Sequence, residues 1–169
     1  VRNVVLLKKG SSTLSDIEVW FDSSINRLNV DKHGESLGRF SANDKVIAFY
    51  KSGYYKITSF DVSVHFDDEL LCVEKFKPTK PISAIYYDIV KKKYFIKRFL
   101  PEISTKKMEF VFEDQKQTLY MLSTNYLPQI EVLYYGRDKK DKHTELLSPA
   151  EYVEIMKIKA KGKRITVDN

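Results

Sequence analysis

Two stretches of the chain echo each other, and the spacing between them limits the fold more than any other feature. KVIAFYKSGYYKITSF and AIYYDIVKKKYFIKRF share one order: apolar strand, basic turn, aromatic-apolar strand. Their returning strands align as Tyr55, Ile57 and Phe60 with Tyr94, Ile96 and Phe99, each pair 39 residues apart, with two extra residues expected in the second turn. A third related run, TLYMLSTNYLPQIEVLYYG, begins near Thr118. Strand-built units near 40 residues long cannot bury both sheet faces alone and stack as blades of a propeller-like array. A chain of 169 residues then holds about four such blades in one domain, 1–169.

The rest of the chain reads the same way. Glycine and proline are few, 6 and 5, while Val, Ile, Tyr, Phe and Thr recur in short runs between charged or small turn residues, the pattern of strands and hairpins. Strands are expected at Val4–Lys8, Asp16–Asp22 and Ile25–Val30, the last two joined across Ser23-Ser24. Lys45–Tyr50 and Tyr54–Thr58 flank Lys51-Ser52-Gly53, where Gly53 supplies the positive φ of a tight hairpin. Further strands are expected at Leu70–Phe76, Ile82–Tyr87, Tyr94–Phe99, Glu109–Phe112, Leu119–Ser123, Ile130–Tyr135 and Val153–Ile158. Ser148-Pro149-Ala150-Glu151 has the N-cap, first-position proline and following acid of a helix of one or two turns. RDKKDKHTE has no apolar period and reads as an exposed loop. The fold class is all-β.

Composition narrows the chemistry. The single Cys72 excludes an internal disulfide framework and any cysteine-based zinc or iron–sulfur site, which fits a reducing cytoplasm, and its apolar strand LLCVEKF makes it a buried thiol. No stretch approaches 18 uncharged apolar residues, and Val1–Gly10 lacks the layout of a signal peptide, so the expectation is a soluble chain with no membrane partner. Its start, Val1 leading straight into an apolar run, is that expected of a domain cut from a longer protein. His33, His65 and His143 stand far apart with no ligand-like companions, so no metal is expected. Asp67-Asp68-Glu69 reads as a solvated turn. Walker A, Rossmann, G-x-S-x-G and His-Glu-x-x-His motifs are absent, and no cofactor is expected for this fragment.

Charge points to a partner. Residues 1–74 hold 9 Lys or Arg against 11 Asp or Glu, a net of −2, whereas residues 75–169 hold 20 against 12, a net of +8. Clustered positive potential attracts polyanions, and phosphate contacts release condensed counterions. The bland alternative is a lysine-rich chain that is merely well solvated.

Several strings resemble a known family. IEVWFDSSINRLNVDKHGESLGRF, DKVIAFYKSGYYKITSFD, HFDDELLCVEKFKPTKPISAIYYD and KKKYFIKRF resemble the C-terminal region of bacterial type IIA topoisomerase A subunits, and most of all that of topoisomerase IV, or of its gyrase-A-like counterpart, in Bacteroidetes. The closing EYVEIMKIKAKGKRIT resembles the last strand of that region. The resemblance spans nearly the whole chain and is weakest at Ser104–Lys116 and Arg137–Leu147. It implies a β-pinwheel, with propeller-like blades that exchange strands and a basic perimeter that binds and bends duplex DNA. It also implies that cleavage, with its nucleophilic tyrosine, metal and ATPase, belongs to the B subunit and to the rest of the A subunit. ATP and Mg are thus cofactors of the complete enzyme, and this fragment is a non-enzymatic, monomeric accessory in the bacterial cytoplasm. Gyrases carry a Gln-Arg-Arg-Gly-Gly-x-Gly wrapping box. The nearest run here, His33-Gly34-Glu35-Ser36-Leu37-Gly38-Arg39, departs from it, which favours a relaxing or decatenating enzyme.

On that resemblance the candidate phosphate contacts are Lys91, Lys92 and Lys93 in a hairpin turn, with Lys97 and Arg98 on the returning strand. Lys157, Lys159, Lys161 and Lys163 alternate, so on a strand they would project to one face with Ile158 and Ala160 turned inward, and Arg164 stands beside them. Arg39, Lys51 and Lys56, with Lys45, are candidates by position. The competing account of each is a solvated turn or a lysine guarding an edge strand. Tyr54-Tyr55, Tyr86-Tyr87 and Tyr134-Tyr135 each put one ring on either sheet face, which favours core packing over base stacking. A protein-docking propeller is the rival function. A propeller glycosidase would need paired carboxylates across a cleft, and no spacing points to such a pair.

Overall fold

The computed structural model describes residues 16–125, 127–135 and 142–166. It is all-β, built from antiparallel sheets with almost no helix. The expected strand Val4–Lys8 lies outside the described residues. The chain divides into two compact units: residues 1–76 with 104–108, and residues 77–103 with 109–169.

In the first unit, β1 (Ile17–Asp22) pairs with β2 (Arg27–Asn29) on one side and β3 (Glu35–Phe40) on the other. A second sheet has β4 (Lys45–Tyr50) between β5 (Tyr54–Ser59) and β6 (Leu70–Lys75), with β9 (Met108–Glu109) at its far edge beyond β5. The β4–β5 turn is as expected: Gly53 takes φ +94 and donates its N–H to Tyr50 O, and Tyr50 stacks on Tyr54 at 4.6 Å. β4 reads VIAFY without alternation because it is central and buried on both faces. Val19, Leu28, Phe40, Val46, Ala48, Tyr50, Phe66 and Val73 form one core. Cys72 is half-buried rather than enclosed, since β6 is an edge strand. Asp67 accepts the Glu69 N–H and closes the expected solvated turn.

In the second unit, β7 (Ile82–Asp88) and β8 (Lys93–Phe99) form the central hairpin, flanked by β10 (Gln117–Ser123) and β13 (Lys163–Arg164). β11 (Ile130–Tyr135) and β12 (Lys142–Leu147) form a separate hairpin. Ile85, Ile96, Ile130, Leu147 and Val153 make the core of this unit, with Val132, Tyr152, Met156 and Ile165 against it. α1 (Pro149–Tyr152) is one turn, as expected, although Ser148 caps it with no side-chain bond.

One scheme recurs in the sheets around the hairpins β1–β2, β4–β5 and β7–β8. A later strand returns to the outer side of the first strand of each: β3 and β6 directly after their hairpins, and β10 after the short β9 has joined the preceding sheet. The second strand is met by chain from beyond the next hairpin: His65 bridges Arg27, β9 lies beside β5, and β13 pairs with β8. The repeat is thus one of pairing more than of length. The hairpins close at Asp22, Tyr50, Asp88 and Tyr135, at intervals of 28, 38 and 47 residues.

Five expectations need correcting. The β7–β8 loop exceeds the β4–β5 loop by one residue, not two, since Tyr50 faces Tyr54 and Asp88 faces Lys93. The run from Thr118 is no hairpin, because β10 and β11 join different sheets. Glu109–Phe112 keeps two strand residues with Met108, then buries Phe110 and Val111 in irregular chain before a 3-10 turn at Glu113–Gln115. Lys142–Leu147 is a strand despite its charge, as is Glu35–Phe40, for which no strand was expected. Val153–Ile158 is not a strand: it makes one isolated parallel bridge, Ile155 to Arg98.

Candidate nucleic-acid interface

In the first unit, Arg39 on β3, Lys51 in the β4–β5 turn and Lys56 on β5 are all exposed. Their neighbour Lys75 is engaged instead, donating to Arg39 O at 2.8 Å and lying 3.4 Å from the Asp44 carboxylate. Ser41, chiefly through its backbone N–H, and then Lys75 hold the Asp44 carboxyl below its ordinary value. Lys107 lies over the Tyr54 ring at 4.9 Å, a contact the sequence did not single out.

The second unit carries two cationic elements around β8, one in the turn that leads into it and one running alongside it. Lys91, Lys92 and Lys93 are exposed at the β7–β8 turn. Asp88 shapes that turn: its carboxylate accepts the Lys91 N–H, its carbonyl accepts the Lys92 N–H, and Lys92 adopts the left-handed φ of +57. The Lys91 ammonium stands 5.4 Å from the centre of the Phe95 ring. Beside the turn, Tyr94 packs on Tyr87 and Tyr120, with Tyr94 and Tyr120 exposed.

The other element is Lys157–Arg164. Its cations are exposed as expected, with Ile158 buried, but not because it is a strand. The chain meets β8 at Met156, whose N–H donates to Arg98 O, then turns at Lys157–Ala160 and comes back as β13, pairing Lys163 with Ile96 and Arg164 with Phe95. The turn thus bulges over the position of Lys97. Gly162, at φ +85, lies so close to β8 that a Cβ would overlap the carbonyl oxygen of Ile96. Tyr152 fastens the return, its hydroxyl donating to Arg164 O at 2.7 Å and accepting the Thr166 N–H. Lys163 donates to Tyr152 O at 3.2 Å with its ammonium 4.2 Å from the Tyr152 ring centre. Among the described residues, Lys157, Lys159 and Lys161 have no carboxylate partner.

Lys97 and Arg98 are corrections. Lys97 is 0% exposed, and its ammonium donates to Phe110 O at 2.7 Å and to Ile158 O, with the Phe99 and Phe112 rings within 6 Å. Arg98 is 8% exposed and reaches Val153 O at 3.4 Å. From Phe95 to Phe99 β8 is covered on both faces, so neither cation can meet a phosphate. Burial pulls the Lys97 ammonium down to about 8. Two of the three tyrosine pairs behave as expected: Tyr55 and Tyr86 are buried, while Tyr54 and Tyr87 keep partial access to solvent; in the third, Tyr134 is only half-buried and Tyr135 is exposed, so neither ring is enclosed. His33, His65 and His143 are exposed, and among the described residues no group of His, Cys, Asp and Glu converges on a metal position. No helix among the described residues is long and apolar enough to cross a membrane.

No curated protein and no solved structure matches the chain. The model of one family, the topoisomerase C-terminal domain of Bacteroidota, matches residues 27–169. That match takes in both sheets of the second unit, the basic turn and the basic bulge, and the chain belongs to the Bacteroidota topoisomerase C-terminal domain family.

Proposed function

We propose that this accessory domain binds duplex DNA by its phosphates and bends it beside the cleavage core of a type IIA topoisomerase A subunit. The observation that carries the reading is the bulge Lys157–Arg164, which turns the Ile158 carbonyl toward Lys97 of β8 and the Lys161 carbonyl toward Tyr86 of β7, while Lys157, Lys159 and Lys161 stand in solvent with no carboxylate partner among the described residues. Unneutralised cations on a fixed backbone attract a polyanion and lose little freedom on meeting it. Lys91, Lys92 and Lys93 extend the contact, with Arg39, Lys51 and Lys56 as further phosphate partners. The sheets act as about four blades of a β-pinwheel, a reading supported by the recurring exchange of strands at the hairpins β1–β2, β4–β5 and β7–β8. Phosphate contacts position a duplex without reading its bases, so the domain selects DNA geometry over sequence. Bending a site of 20–30 bp costs about 1–6 kcal/mol, offset by the added contacts.

Cleavage, ATP and Mg belong to the B subunit and to the remainder of the A subunit. The domain acts as a monomeric module in the bacterial cytoplasm. The departure of His33–Arg39 from a wrapping box favours relaxation or decatenation of the topoisomerase IV kind. The test is fluorescence anisotropy with a mixed-sequence duplex of about 40 bp, from about 50 to 200 mM salt. Sequence-tolerant binding that weakens steeply with salt is expected. Absence of binding at low salt would overturn the reading and favour a protein-docking module, for which Leu133, Tyr135 and Leu146, 45%, 60% and 72% exposed on one face of β11–β12, supply the surface.

A further inference from the structure

Lys97 is a buried cation with no carboxylate against it among the described residues, and both carbonyls that hold it lie on irregular chain. One is Phe110 O, on the segment between β9 and the 3-10 turn, and the other is Ile158 O, inside the basic bulge. The bulge leaves β8 at Arg98 and rejoins it at Ile96, so the side chain of the residue between them fills the space beneath. Three further ties act on the same short segment. The Tyr86 hydroxyl donates to Lys161 O, Gly162 lies flat against the backbone of Ile96, and the Tyr152 hydroxyl donates to Arg164 O. Each carbonyl drawn inward turns the adjoining lysine side chains outward. A loop bearing Lys157, Lys159, Lys161, Lys163 and Arg164 would repel itself into an open ensemble if its backbone were unconstrained. An ammonium donating to a carbonyl beneath it is a strong constraint, since charged hydrogen bonds exceed neutral ones and a buried donor is costly to leave unpaired.

We infer that Lys97, assisted by Tyr86, is a positioning residue for phosphate binding: it never touches DNA, but clamps the bulge Lys157–Arg164 from beneath so that its lysines are presented as one preformed anion-binding loop. This rests on the DNA-binding reading above and adds to it a specific dependence on a buried side chain. A preformed loop binds more tightly than a mobile one of equal charge because less ordering remains to be done on association.

The experiment uses the 169-residue chain with Lys97→Met, Tyr86→Phe, and a variant carrying Lys157→Gln, Lys159→Gln and Lys161→Gln. Each is assayed for duplex binding against salt and for amide hydrogen exchange. Lys97→Met is expected to keep the exchange protection of β4, β7 and β11, to lose that of residues 157–164, and to bind duplex about tenfold more weakly. Tyr86→Phe, which removes one hydroxyl and preserves the ring, should show the same pattern with a loss of about threefold, and it serves as the test if Lys97→Met does not fold. A merely structural Lys97 would lower thermal stability and leave both the local exchange and the affinity of the folded protein unchanged, which would overturn the inference. If the triple variant loses affinity while both buried variants retain it, the clamp fails and the DNA reading stands. If the unaltered chain binds no duplex, the reading fails, and exchange at 157–164 still decides whether Lys97 holds the loop.

Discussion

Lys93 and Lys97 sit on the same face of β8, yet Lys93 is in solvent and Lys97 is enclosed. The difference has a signature in acid–base behaviour. Burial lowers Lys97 from 10.5 to about 8, so between these values the unfolded chain binds more protons than the folded one and stability rises with pH, by about 3 kcal/mol across the window. Burial raises the hydroxyls of Tyr50 and Tyr86 from 10.0 to about 12, with Asp67 adding to the first and Asp88 to the second. Above pH 10 the folded chain therefore retains protons that the unfolded chain has lost, and stability falls. Urea unfolding from pH 7 to 11 is expected to show a maximum at about pH 10, and Lys97→Met should abolish the rising limb. A rising limb of equal size in that variant would assign it to another group. No local signal in KYFIKRF separates Lys97 from Lys93, because the groups that enclose Lys97 arrive from 13 and 61 residues along the chain.

At the scale of the element, backbone conformation and charge can be separated in the β7–β8 turn. Lys92 occupies a left-handed position that glycine adopts without steric cost. Lys92→Gly should leave unfolding free energy within about 1 kcal/mol of the parent. The same variant should weaken duplex binding for all sequences alike and lower the salt slope by about one unit. Unequal losses across sequences would point to base reading. In the basic bulge the constraint runs the other way: Gly162→Ala adds a Cβ where the Ile96 carbonyl stands, at a φ of +85, and should cost at least about 1–3 kcal/mol in urea unfolding. Retention of parental stability would mean the bulge is not held against β8. The central hairpins were legible as elements because their apolar runs are continuous and their turns carry Gly53 or lysines. β12 was not: KHTELL exposes most of its side chains, so its pairing with β11 leaves no apolar alternation to read. Val153–Ile158 has the apolar content of a strand, but Val153 ends α1 and Ile158 sits in a turn, so those residues pack as isolated points.

For the whole molecule, the expected activity is mechanical. A duplex of about 30 bp labelled at both ends should show a shorter end-to-end distance by energy transfer when the domain binds, in a manner insensitive to base sequence. Binding without shortening would retain the phosphate contacts and remove the bend. Local periodicity was sufficient for the all-β class, the β4–β5 and β7–β8 hairpins, the one-turn helix and the excess of cations in residues 75–169, since each depends on residues within a few positions of one another. The exchange of strands, the unequal spacing of the hairpins and the division of the lysines into exposed and buried depended on chain returning from far away in sequence. Periodicity tells which residues extend and which face is apolar, whereas desolvation of a given cation depends on which distant backbone covers it. Lys159 and Lys97 read alike as members of basic runs, and folding placed one in water and the other beneath the loop that carries the first.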